Sequence, residues 1–242
     1  MTVWLKKTIT RLAISAFVSI PIICTDSAFS KPISSVCYGT TAHGRLENGV
    51  KLPSGGNNFQ SYSLLAGPLG RTFVHSKVRE IIIDAYRQLE TAQPGKVYKY
   101  AESGYENGGP FKPHKTHQNG LSVDFTVPVV DASGKSVYLP TNLLNRWGYD
   151  IEFDKSGKYG EYAIDYESLA AHIVALHKSA LRQHADIWRV IFDPGLQPFL
   201  YATKYGSYIR KNLRIPTKKS WVRHDDHYHV DFMIKCKPLP RK

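Results

Sequence analysis

Two short stretches of this chain gather side chains that do chemistry in groups. Residues 223–232 read RHDDHYHVDF and place His224, Asp225, Asp226, His227 and His229 within six positions. Residues 114–125 read HKTHQNGLSVDF and carry His114, His117 and Asp124. Imidazole nitrogens and carboxylate oxygens are the donors that zinc takes, and three of them leave a fourth position for water. A metal held that way activates water for hydrolysis. Either stretch alone also reads as a polar surface turn, and Asp124 alone as the partner of an arginine. It is their conjunction that points to one metal site.

The elements around these residues decide whether they meet. HYHVDFMIK (227–235) alternates and reads as a strand, so His227 and His229 share a face, ~7 Å apart. Neither imidazole sits in a dry core without a hydrogen-bond partner or an ion. GLSVDFTVPV (120–129) puts Leu121, Val123, Phe125 and Val127 on one face of a second strand, and Asp124 on the other. A carboxylate in an apolar strand needs a compensating charge, which a cation supplies.

HSKVREIIIDAYRQLE (75–90) has its apolar residues at helical spacing, with Ser76 as the expected N-cap, and stops at Pro94–Gly95. YESLAAHIVALHKSALRQ (166–183) reads as a second helix, KVYKYAES and IWRVIFDP (187–194) as strands, and PFLYATKYGSYIRKNL as helical in part. Residues 31–65, rich in Gly, Ser, Asn and Pro, are expected to be mostly irregular, and 131–165 turn-rich. Helices and strands mix without regular alternation, which predicts an α+β domain: a central antiparallel sheet flanked by helices, with the metal site on the sheet. His43, His75, His172, His177 and His184 lack ligand spacing and read as structural, with His75 at a helix start able to approach the site.

HKTHQNGLSVDF and HDDHYHVDF together resemble the H-x-x-H-Q-x-G-x-x-V-D and H-x-x-H-x-H signatures of the penicillin-insensitive murein endopeptidases, zinc peptidases of the lysostaphin and D-Ala-D-Ala metallopeptidase group. CYGTTAHGRLENGVKLP, FVHSKVREII and VIFDPGLQPFL are also similar to segments of that family, so the likeness spans nearly all of residues 31–242. The resemblance implies zinc ligation by His117, Asp124 and His229, and His227 as general base or transition-state stabiliser. His224 and His114 match further active-site histidines, with His114 open to an accessory metal role. Ser122 stands where the family pattern has Asp, and Asp231 where relatives often carry a basic residue. The activity implied is hydrolysis of peptide cross-links in peptidoglycan, at the D-alanyl–meso-diaminopimelyl bond. The alternatives are a D,D-carboxypeptidase or dipeptidase of the same group, and a non-catalytic, zinc-stabilised wall-binding protein.

The setting fits. Residues 1–30 hold Lys6, Lys7 and Arg11, the apolar run LAISAFVSIPII and a small-residue end at Ala28 and Ser30, the pattern of a secretory signal peptide. The expected location is the periplasm, with no transmembrane segment after cleavage. Cys24 leaves with the signal, and the two remaining cysteines, Cys37 and Cys236, read as one disulfide joining the ends of the domain. The formal charge of +12 suits an anionic wall polymer. No nucleic-acid-binding pattern appears, which speaks against a specific nucleic-acid partner. Homodimerisation is left open. With 42% hydrophobic residues, the chain has the means for a sizeable core.

Overall fold

The computed structural model describes residue 1, residues 34–218, 220 and 222–240. The expected signal peptide lies outside the described residues. Residues 33–242 form one compact unit.

The floor of the site is a five-stranded sheet in the order Asp186–Ile191, His227–Met233, Ser122–Thr126, Tyr98–Tyr100, Phe59–Ser61. Neighbours run antiparallel except the last pair, Tyr98–Tyr100 with Phe59–Ser61, which is parallel where an antiparallel sheet was expected. The two signature strands lie side by side in a register that pairs His229 with Asp124, Tyr228 with Phe125 and His227 with Thr126. Alternation then sends Val123, Phe125, Tyr228 and Val230 to one face, and Asp124, Thr126, His227 and His229 to the other.

The apolar face is covered by the helices Ser76–Ala92 and Tyr166–Arg182. Ser76–Ala92 buries Val78, Ile81, Ile82, Ala85, Tyr86 and Leu89, the stripe its sequence predicts. His172 of the second helix lies between Tyr86, Tyr98 and Phe125 and bonds the Tyr228 hydroxyl. Burial pushes its pKa down to about 3, so it is a neutral core residue. His177 is likewise taken up by the Tyr208 hydroxyl and Asp186.

One expectation fails locally. The cap of the first helix is His75, whose Nδ1 accepts from Lys77 N, while the backbone N–H of Ser76 donates to Ser35 Oγ. Residues 34–65 are irregular for the most part, as expected, around the strands Val36–Gly39, Gly44–Glu47, Val50–Lys51 and Phe59–Ser61. These strands are only two to four residues long, too short to leave a periodic signal. The turn-rich residues 131–165 contribute Ser136–Val137, Lys158–Tyr159 and Tyr162–Ile164 to a small sheet completed by Val129–Val130. Two shorter helices, Gln197–Tyr201 and Gly206–Asn212, occupy the segment expected to be helical in part. Cys37 and Cys236 form the expected disulfide.

Candidate metal centre

Asp124 lies between two imidazoles. Its Oδ2 is 3.3 Å from His117 Nε2 and its Oδ1 is 2.7 Å from His229 Nδ1. All three side chains are buried. His229 and Asp124 are brought together by the strand register. His117 arrives from the preceding loop, which bends through a left-handed backbone at His117 itself (φ 69°) and at Gly120 (φ 75°). A Cβ at position 120 would stand 2.7 Å from the backbone nitrogen of His75, so only glycine passes there. A non-glycine residue held at positive φ is strained, and such strain concentrates at functional sites.

The outer nitrogens of both imidazoles are occupied. His117 Nδ1 donates to the carbonyl oxygen of Ser103 (3.0 Å), which leaves Nε2 as a lone pair facing Asp124. Among the described residues that buried Nε2 has no hydrogen-bond partner. His229 Nε2 lies 2.9 Å from Asp231 Oδ1, which turns Nδ1 toward Asp124. Asp231 is anchored in turn by Ser122 Oγ (2.6 Å) and Arg189 Nε (2.6 Å). The two departures from the family pattern, Ser122 and Asp231, thus bond each other behind His229.

The electrostatics fit a cation. Burial opposes ionisation of Asp124, yet His117 and His229 hold its pKa well below the carboxylate range. Burial also opposes a charge on His229, but Asp231 and Asp124 outweigh it and lift its pKa to about 10. Burial keeps His117 neutral, its pKa lowered despite Asp124. The cluster therefore holds one positive charge at its centre, which a metal in place of a proton also supplies.

His114 adds a third nitrogen. Its Nδ1 lies 3.8 Å from Asp124 Oδ2, while its Nε2 meets Glu102 Oε2 (2.5 Å) and the Tyr149 hydroxyl (2.9 Å). His114, His117 and Asp124 each offer a ligand atom within 4.8 Å of the others, a group that could hold a metal ion. His229 bonds Asp124 (2.7 Å) but is not itself a member of this group. Neither His224 nor His227 belongs to it.

His227 and His224 stand beside the cluster on the wall of a cavity of about 250 Å³, shared with His114, Asp124, Tyr149 and His229. Asp226 Oδ1 is 3.0 Å from His227 Nδ1 and fixes its ring. Burial disfavours a charge on His227, but Asp226 overrides it and raises the pKa to about 9. His224, with Nδ1 2.9 Å from the carbonyl of Val222, has its pKa pushed to about 3 by burial and by the neighbouring His227. His75 caps its helix and carries no ligand role here.

Sequence reasoning missed Glu102, Tyr149 and the Asp226 partnership. Glu102 follows the strand Tyr98–Tyr100, and also accepts from Arg71 and from the Tyr62 hydroxyl (3.0 Å). An acid just past a tyrosine-rich strand was the available signal. Tyr149 gave none, since it sits in a turn where Arg146, Trp147 and Gly148 are all left-handed. No curated protein matches the chain significantly. The profile of the family described as penicillin-insensitive murein endopeptidase matches residues 37–239, and the chain, an enzyme that hydrolyses peptidoglycan, belongs to that family.

Proposed function

We propose that the chain is an exported, periplasmic zinc endopeptidase in which His117, Asp124 and His229 hold the metal. The observation that carries this reading is His117 Nε2, a buried lone pair that among the described residues has no hydrogen-bond partner and lies 3.3 Å from a buried carboxylate oxygen. Two imidazoles and a carboxylate are a donor set zinc accepts, and each imidazole is already oriented by a bond at its other nitrogen. When bound there, zinc would lower the pKa of water toward ~7 and polarise a peptide carbonyl.

The chain's own groups do the rest. His227, with Nδ1 fixed by Asp226 and its pKa raised to about 9, lines the cavity as an imidazolium, where it stabilises the negative charge that develops on the carbonyl oxygen as water adds. Tyr149 and His114, bonded to each other, line the same cavity and orient the substrate carbonyl. The bond cleaved is the D-alanyl–meso-diaminopimelyl cross-link. The short approach of His114 to Asp124 favours a second reading, in which His114 Nδ1 is an additional ligand.

Metal analysis joined to digestion of intact sacculi tests the proposal. The expected result is about one zinc per chain, conversion of cross-linked dimers to monomers, loss of activity with a chelator and its return with zinc. His227→Ala should keep the metal and lose activity by about 10²–10⁴-fold. Release of free D-alanine without dimer cleavage would identify a carboxypeptidase instead. A His114→Ala protein that no longer retains zinc would favour the second reading.

A further inference from the structure

A groove of about 760 Å³ lies outside the metal cavity, walled by Gln60, Tyr62, Tyr138, Thr141 and Trp147, with Lys99 in its lining. Tyr62 and Trp147 also border the small cleft that reaches Asp124 and His227, so groove and site are continuous. Tyr98 and Tyr100 turn to the helix-covered face, which sends Lys99 to the face that carries Asp124, Thr126 and His227. Thr126 pairs with His227 on one side and its Oγ1 meets the Lys99 carbonyl on the other. Two strand spacings of ~4.8 Å set Lys99 ~10 Å across the sheet from His227.

The Lys99 side chain is anomalous. It is 5% exposed, yet among the described residues it has no carboxylate partner. Its Nζ donates to the Leu139 carbonyl and to Thr141 Oγ1 (2.9 Å), both neutral acceptors, and lies 5.8 Å from the centre of the Tyr138 ring. A lysine left only to tie the 139–141 segment to the sheet would be replaceable by a neutral donor, without the desolvation of a charge. A buried ammonium without an anion, set in an open groove, suits an anionic group brought by a ligand.

We propose that this groove is a second binding site, in which Lys99 receives a free carboxylate of the cross-linked stem peptide whose scissile bond lies at the metal centre. About three extended residues cover the ~10 Å between the Lys99 and His227 positions of the sheet. Tyr62, Trp147 and Tyr138 flank the peptide, and Gln60 and Thr141 offer polar contacts along the way. The proposal rests on the endopeptidase reading and adds which part of the substrate is held away from the reaction.

The test is binding of a cross-linked stem-peptide dimer, compared with the same dimer whose free carboxylates are carboxamides. Both are titrated calorimetrically into the His227→Ala protein, so that no cleavage intervenes. The native dimer is expected to bind about tenfold tighter than the amidated one, the scale of one charge-assisted hydrogen bond. Lys99→Met should erase that preference, and Lys99→Arg should keep most of it. Equal binding of the two dimers, no binding of either, or a preference that survives Lys99→Met would overturn the site. Should Lys99→Met fail to fold, the amidated dimer and Lys99→Arg still decide. Cleavage of sacculi by the unaltered chain is scored separately, so a failed groove and a failed endopeptidase reading give different results.

Discussion

Asp231 decides which nitrogen of His229 faces the centre. By accepting from Nε2 (2.9 Å) it leaves Nδ1 for Asp124 or a metal, and its own second oxygen is held by Arg189. Orienting carboxylates of this kind are typically worth about 10–100-fold in metal affinity. Asp231→Asn should therefore keep the fold but weaken zinc binding by about that factor, measured by competition with a chromophoric chelator. Unchanged affinity would show that Asp231 merely neutralises Arg189. At this scale much of the site was legible, because histidine and aspartate at fixed spacing have few other uses in an apolar strand. What could not be read were groups whose partners lie far along the chain. Glu102 reaches His114 across 12 residues, and Tyr149 reaches it across 35, from a turn that no local pattern announces. His114 itself shows the limit of spacing, for its distance from Asp124 depends on the loop path and not on the strand.

Among the elements, long periodic ones announced themselves and short ones did not. The helices at Ser76–Ala92 and Tyr166–Arg182 and the strands at Ser122–Thr126 and His227–Met233 carry enough residues to show their period. The two-residue strands of the 129–164 sheet do not. Caps are a finer matter, and Asp165 is one that titrates. Its carboxylate accepts from Ser168 N (3.0 Å) at the start of the second helix and from Lys96 Nζ (2.7 Å). Burial raises its pKa, but Lys96 and Ser168 prevail and the folded value lies below the ordinary one. A carboxylate depressed on folding contributes stability that is fully present above its unfolded pKa of ~3.9 and is lost as pH falls through the folded value. Lys96→Met should lower Tm by about 2–4 °C at pH 7, the effect of roughly 1 kcal/mol in a chain of this size. That gap should close as pH drops below ~4 and both proteins protonate Asp165. Circular-dichroism melts from pH 7 to pH 3 give the two curves. A gap that stays constant to pH 3 would mean that Lys96 acts through packing alone.

For the molecule as a whole, the charge and the disulfide suit an enzyme that acts on peptidoglycan. The formal charge is +12 for the full chain and +10 without residues 1–30, and it favours approach to an anionic polymer, an attraction that salt weakens. The Cys37–Cys236 bond joins positions 199 residues apart, and so ties the first strand to the tail that follows the last one. Backbone bonds reinforce the same junction, from Lys237 N to Cys37 O and from Gly39 N to Lys237 O, both 2.9 Å. The tie also touches the site, because the Asn119 amide lies 3.6 Å from Cys236 Sγ and Asn119 is two residues from His117. Closing so long a loop restricts the unfolded chain, and removing such a bond costs about 2–5 kcal/mol. For a domain of this size that lowers Tm by about 4–20 °C. The double variant Cys37→Ser, Cys236→Ser should melt within that interval below the oxidised protein, and a reducing agent should reproduce the shift in the unaltered chain. Because the freed tail no longer braces Asn119, the loop that aims His117 loosens as well, and zinc should leave at a lower chelator concentration even at temperatures where the fold persists. A reduced protein that melts at the same temperature and holds zinc equally well would mean that the backbone bonds of residues 37–39 with Lys237 suffice to close the domain.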